Sequence, residues 1–85
     1  MQQVEETSKA KTQIKGLNLQ KKYNKQKAFF INNLAHPSLD FCMWDKKQRI
    51  SSFKINKQYR ALIIKKNDVF TVFAVGDFHR QSPKS

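Results

Sequence analysis

Cysteine is almost absent: Cys42 is the only one in 85 residues. No disulfide can form within the chain and no cysteine cluster of the zinc type exists, which fits a reducing cytoplasm. Cys42 is read as a small, buried or half-buried apolar residue. Glycine is scarce as well, with Gly16 and Gly76 alone, so a glycine-rich phosphate loop is excluded. Residues Met1 to Ala10 are polar and hold no apolar signal core. No apolar run approaches the roughly 20 residues of a membrane span. The expectation is a soluble, cytoplasmic protein without a membrane role. Acids are few, six in all, and none lies between Glu6 and Asp40. No internal repeat or low-complexity segment is present.

What is abundant is positive charge. Seventeen Lys and Arg give a net charge of +11 and a pI near 10.1. On so small a body this points to a polyanionic partner: nucleic acid, an anionic membrane or an acidic protein. The acid-free stretch carries Lys9, Lys11, Lys15, Lys21, Lys22, Lys25 and Lys27, and its plainer reading is a solvated lysine face. An apolar fraction of 39% with seven Phe supplies one modest core. A chain of this length buries only about 60–65% of its unfolded surface. One domain over residues 1–80 is expected, with 81–85 as a flexible tail.

Hydrophobic spacing gives the order of elements. Gln2 to Glu6 is a weak strand candidate. Thr7 or Ser8 can cap a helix whose Ala10, Ile14 and Leu17 share one face. Asn18 can cap a second helix, with Leu19, Tyr23, Phe30, Ile31 and Leu34 on one face and Lys21, Lys22, Lys25 and Gln26 on the polar one. Pro37 disfavours helical geometry at His36, so this helix should stop near Ala35. Residues 38–47 carry no firm pattern. Then Ser51, Phe53 and Ile55 alternate with polar residues, Asn56 and Lys57 turn, and Tyr59 to Lys65 forms a strand. Lys66 to Asp68 turns again, and Val69 to Val75 is an uncharged, central strand. The fold expected is α+β: an N-terminal helical hairpin on one face of a small, curved antiparallel sheet of three to four strands.

Three segments in this order resemble a known family. Ala35-His36-Pro37-Ser38-Leu39 resembles the segment after the helical hairpin in RelE/ParE-superfamily toxins. Ser52 to Leu62, with Phe53, Tyr59 and Arg60, resembles their strand pair, and Val75-Gly76-Asp77-Phe78-His79 their closing motif. The resemblance spans residues 2 to 80. It implies the toxin of a type II toxin–antitoxin system that binds a cognate antitoxin. In the ribosome-dependent members the implied activity is cleavage of mRNA on the ribosome by attack of a 2′-hydroxyl on the adjacent phosphate, without metal or cofactor. In the ParE-like branch the target is DNA gyrase. The C-terminus departs from the pattern. His79 stands one position late, and no Tyr follows Tyr59.

Arg60 is the leading candidate catalytic residue. It matches the family's strand arginine, and a guanidinium can hold two phosphate oxygens as charge builds in phosphoryl transfer. The structural alternative is an arginine stacked on a strand neighbour or paired to an acid. On the functional reading, Arg60→Ala removes toxicity and leaves folding intact. His79 is a candidate general acid or base and Arg80 a second phosphate contact; the alternative is an idle tail. Lys46, Lys47, Arg49, Lys54 and Lys57 are candidates for an RNA-binding face, against a solvated charge face. Phe53, Tyr59 and Phe78 are weighed as base-stacking groups, with core packing favoured for Phe53 and an alternative for Tyr59. His36 and Asp40 lie four apart across a proline, share no helical face and lack a third ligand, so no metal site is expected. They are assigned to fixing the turn.

Three functions therefore compete. The first is a ribosome-dependent endoribonuclease. The second is a non-catalytic relative that poisons gyrase or only binds antitoxin. The third is a generic basic nucleic-acid-binding domain.

Overall fold

The computed structural model describes residues 3–33 and 35–78. Strand β1 (Gln3–Glu6) is followed by helices α1 (Ser8–Gly16) and α2 (Gln20–Asn32). A 3₁₀ turn, Pro37–Leu39, leads into β2 (Cys42–Asp45), β3 (Ile50–Lys54), β4 (Arg60–Lys66) and β5 (Val69–Gly76). The α+β architecture with a helical hairpin is as expected. The sheet is larger than expected: five strands in the order β1-β5-β4-β3-β2. It is also mixed, because β1 runs parallel to β5 while every other pair is antiparallel. Both strands that the sequence obscured, β1 and β2, are four-residue edge strands without a fully buried residue. Short, half-exposed edges carry little alternation to read.

Local chemistry explains the boundaries. Thr7 caps α1, its Oγ1 accepting the Ala10 N–H at 3.1 Å. Asn18 does not cap α2. It sits in the link at φ 58°, a left-handed conformation that asparagine tolerates, and the cap position falls on Leu19, which makes no side-chain cap bond. The helix ends at Asn32 rather than near Ala35. Asn33 is extended, and its Oδ1 accepts the Ala35 N–H at 3.1 Å. Leu34, assigned to the helix face from its spacing, lies outside the described residues. Between β4 and β5, Lys66 pairs with Val69, which leaves a two-residue loop of Asn67 and Asp68. Both have positive φ, 50° and 67°, as a type I′ hairpin turn requires.

The helices cover one sheet face. Ala10, Ile14, Leu19, Tyr23 and Phe30 pack on Phe53, Ala61, Ile63, Phe70, Val72 and Val75. Phe30 is central: its ring lies 5.2 Å from Phe53, and 5.0 Å from Phe70 edge-on. Such pairs add to plain burial. Leu17, expected on the inner face of α1, is 36% exposed, because the helix has already ended. Gln26, expected on the polar face of α2, is buried. Its Nε2 donates to the Ser38 carbonyl at 3.0 Å and the Lys54 carbonyl at 2.8 Å, tying α2 to the 3₁₀ turn and to β3.

One polar cluster locks β1 to α2. Tyr23 Oη donates to Glu6 at 2.7 Å, and Lys27 Nζ pairs with the same carboxylate oxygen at 2.8 Å. Burial alone pushes the Glu6 carboxyl up, but the hydrogen bonds from Lys27 and Tyr23 and the charges of Lys27 and Lys11 outweigh it. Glu6 therefore titrates below the ordinary value of 4.5. Burial first, and the Glu6 bond second, push the Tyr23 phenol far up, so it stays protonated. A carboxyl lowered in the folded state adds stability above its unfolded pKa and loses it as pH falls through the folded one. Glu6→Gln should accordingly flatten the acid limb of stability below about pH 5, and Tyr23→Phe should cost about 1–2 kcal/mol near neutrality. Thermal melts at stepped pH check both; an acid limb unchanged in Glu6→Gln would refute this role.

Candidate nucleic-acid interface

The sheet face turned away from the helices has its own chemistry. A bulge creates it: Leu62 pairs with Ala74 and Ile63 with Val72, so Phe73 is an extra residue in β5. Phe73 and Ala74 then both join the outer cluster of Ile50, Leu62, Trp44, Ile64 and Phe78, while Val75 returns to the inner core. The Val75 N–H donates to Gln13 Oε1 of α1 at 2.8 Å, which holds the bulge from behind. Trp44 and Phe78 meet edge to face at 5.9 Å.

Arg60 stands on this outer face, opposite Lys54 in register, and it is 6% exposed. Its Nε donates to Ser52 Oγ at 3.0 Å. Its two terminal nitrogens reach the Asp40 carboxylate at 3.0 Å and the Asp40 carbonyl at 2.6 Å. Cys42 Sγ and the Ser52 carbonyl complete the bed at 3.5 Å each. Of the two readings weighed for Arg60, pairing to an acid is therefore present, and the acid is Asp40. Asp40 adopts φ 43° after the 3₁₀ turn, a conformation open to Asp and costly for most residues. The turn itself is set by His36, whose Nδ1 accepts the Ser38 N–H at 3.2 Å, and whose ring stacks on Phe29 at 4.0 Å.

Lys54, Lys57 and Arg60 come together. With Asn56, Gln58 and Phe78 they line a hollow of about 270 Å³, and Asp40 closes its wall. Asn56 shapes the loop between β3 and β4, its Oδ1 accepting the N–H groups of Gln58 and Tyr59 at 2.9 and 2.8 Å. The remaining candidates do not converge here. Lys46 and Arg49 border a separate hollow beside Met43 and Phe70. Lys47 is exposed in the turn between β2 and β3 and lines neither. His79, Arg80 and the tail lie outside the described residues. Phe53 is a core residue with 0% exposure and Tyr59 packs against the same core, whereas Phe78 borders the hollow. Among the described residues, no three His, Cys, Asp or Glu side chains could hold a metal ion. No helix there is long and apolar enough to cross a membrane.

The sequence reading missed Asp40, Ser52 and Trp44 as parts of this face. Ser52 and Arg60 share a face by strand parity, a signal that was available once both strands were assigned. Asp40 follows a segment without regular pattern, and nothing local announces its partner.

No protein-family model matches the sequence, and no curated protein matches it. Solved structures do. YafQ from E. coli aligns at TM-score 0.71 with 11% identity, over 91% of this chain and 93% of YafQ. A copper-bound mutant toxin from Helicobacter pylori aligns at 0.72 with 12% identity, over 91% and 94%. The YoeB–YefM toxin–antitoxin complex from Staphylococcus aureus aligns at 0.63 with 14% identity, over 93% of this chain and 98% of the matched one. The chain shares the fold of these solved structures.

The geometry changes what Arg60→Ala should do. Removing the guanidinium strips Ser52, 0% exposed, of a buried partner, so the substitution should cost about 2–3 kcal/mol rather than spare the fold. Asp40→Asn suits the left-handed backbone and isolates the charge. It should cost about 1–3 kcal/mol by leaving a buried cation without a counter-charge. Urea denaturation checks both, and an Asp40→Asn protein as stable as the parent would show that the charge is dispensable.

Proposed function

We propose that this protein is the toxin of a type II toxin–antitoxin pair, and that it cleaves mRNA on the ribosome without metal or cofactor. The observation that carries the reading is the cationic hollow of Lys54, Lys57 and Arg60 at one end of the helix-free face of a RelE-like toxin fold. Two lysines flanking a fixed guanidinium suit a bent phosphodiester. Trp44 and Phe78 beside it offer aromatic surface to bases. The antitoxin partner is supported by YoeB, which is crystallised with YefM.

In this reading RNA crosses the outer face, with Lys54 and Lys57 on its phosphates. The 2′-oxygen attacks the adjacent phosphorus and the bond to the 5′-oxygen breaks, leaving a cyclic phosphate and a free 5′-hydroxyl. His79 takes the 2′-hydroxyl proton and returns one to the leaving oxygen. Arg60, aimed by Asp40 and Ser52, offsets the charge that develops on the phosphoryl oxygens. Arg80 is assigned a second phosphate contact. Lys46, Lys47 and Arg49 add general attraction rather than contacts in the hollow.

One observation favours a second reading, a non-catalytic protein that poisons DNA gyrase or binds antitoxin alone. The Arg60 donors already serve protein acceptors, which leaves less of the guanidinium for a phosphate.

Inducing the protein in a bacterial host and mapping mRNA 5′ ends separates these readings. A Lys54→Ala/Lys57→Ala chain, which leaves the Arg60 bed untouched, serves as the comparison. New ends inside translated codons, at least about tenfold fewer in the double variant, are expected. The salt slope of RNA binding should fall by about 2 in that variant. Growth arrest with DNA-damage signals and no new ends would identify the gyrase reading. Unimpaired growth would leave antitoxin binding alone.

A further inference from the structure

The bed that holds Arg60 is built of unequal parts. Ser52, 0% exposed, accepts from Nε, and the Asp40 carbonyl accepts from Nη2 at 2.6 Å. That carbonyl is placed by the backbone: the Asp40 N–H donates to the Pro37 carbonyl at 3.3 Å, and φ is 43°. The Asp40 carboxylate, on Nη1 at 3.0 Å, is placed differently. Its side chain is 41% exposed, whereas that of Arg60 is 7% exposed. Asp40 also lines the same hollow as Lys54 and Lys57. The carboxylate thus meets solvent at the wall of the hollow, with the buried guanidinium behind it.

A carboxylate in that place has the chemistry of the ligand the hollow suits. Like a carboxylate, a phosphodiester offers two charged oxygens, and an arginine fork donates to either group. Two anions at one terminal nitrogen repel each other. A phosphate that reaches Nη1 therefore replaces the Asp40 carboxylate rather than joining it. Nothing else in the bed has to move. The carbonyl and Ser52 still hold Nη2 and Nε, so the guanidinium keeps its aim. A side chain 41% exposed can turn into solvent by rotation about its own bonds.

We infer that the Asp40 carboxylate occupies the phosphate position of this hollow in the unliganded protein, and is displaced from Arg60 when a phosphodiester binds. Asp40 is then a gate on the site as well as a brace for it. The contact that favours the non-catalytic reading, a guanidinium already engaged, becomes the closed state of a binding site. The inference deepens the proposed function by naming how its hollow is regulated, and rests on that reading only for the phosphodiester as ligand. The gate lowers apparent affinity: a carboxylate that holds Nη1 in about nine molecules of ten weakens phosphate binding about tenfold. It also discriminates, because an anion that meets Lys54 and Lys57 as well as Arg60 is better able to expel the carboxylate.

The test measures binding of a short oligodeoxyuridylate to the full chain; this probe lacks the 2′-hydroxyl and so cannot be cleaved by the proposed route. Asp40→Asn keeps the shape and removes the charge. Asp40→Gly keeps the left-handed carbonyl and removes the side chain. Each, checked for a native spectrum, should bind about tenfold tighter than the parent. Asp68→Asn is the matched control, the same charge change at another left-handed position, φ 67°. It lies at the far end of the β4–β5 hairpin from Arg60, about 20 Å along the strand. That exceeds a Debye length of about 8 Å, so the control should change affinity less than about twofold. In the isotope-labelled parent chain, inorganic phosphate should move the Arg60 guanidinium and Asp40 carboxyl signals together and leave the Leu39 amide in place. Equal or weaker binding by both Asp40 variants would overturn the inference, and so would equal tightening in Asp68→Asn. Phosphate shifts at Lys54 and Lys57 that leave the Asp40 carboxyl unmoved would do the same, and this titration decides the matter if neither variant folds. The toxin reading fails separately, in the mRNA end map, with the binding result standing.

Discussion

The turn that carries the chain from helices to sheet is tied down by one guanidinium. Residues 36–42 run from the helical layer to the far edge of the sheet, and Arg60 grips two of them, Asp40 and Cys42. Asp40 gives both its carboxylate and its carbonyl, and Ser52 and Cys42 fill the remaining directions. Burying a cation costs several kcal/mol unless geometry and hydrogen bonding offset it, so this site tolerates few arrangements. That intolerance fixes the path of the chain. Leu39, wholly buried in the core, stands one residue before Asp40 and its left-handed φ. Gln26 binds the same segment from the helix side, through the Ser38 carbonyl. A turn that sequence patterning leaves blank is thus among the most constrained parts of the molecule.

The β5 bulge is the second constraint, and it divides the aromatic residues. Upstream of it, Phe70 and Val72 face the helices. At it, Phe73 and Ala74 both turn outward, and Val75 returns inward. A bulge raises local twist and bends the strand. Here it also provides an apolar floor of Leu62, Ala74 and Trp44 next to Arg60 without taking residues from the main core. A strict two-residue alternation through Val69–Val75 would have placed Ala74 under the helices and exposed Val75. The Gln13 acceptor on Val75 shows how α1 enforces the exception.

Much of this was legible in the chain. The helical hairpin followed from Ala10, Ile14, Leu19, Tyr23 and Phe30, because amphipathic spacing reports directly on burial. Strands β3 to β5 followed from alternation and from the Asn67-Asp68 turn. The opaque parts share a cause: their order depends on partners distant in sequence. Strand β1 has one partly buried apolar residue, Val4, and takes its parallel register from β5. Strand β2 is defined by pairing with β3 across a shifted register. Gln26 reads as polar surface until the carbonyls of Ser38 and Lys54 are brought beneath it. Arg60 was legible as a distinctive residue, and pairing to an acid was one of its two readings, but the identity of that acid needed the fold. The five basic candidates lie on or beside the strands that the sequence predicts, which alone does not say which face of the sheet each one takes. A pleated sheet separates such neighbours by parity, and a turn separates them further.

Charge follows the same division. Among the described residues, Glu6 pairs with Lys27 and Asp40 with Arg60. These pairs neutralise charge at the joints and leave the lysines of both hollows to act outward. Attraction for a polyanion is then a property of the whole surface, screened beyond a Debye length of about 8 Å at physiological salt. The two hollows differ in what lies under their cations: a fixed guanidinium and the Phe78 ring on the outer face, and Met43, Ile63 and Phe70 on the helix side.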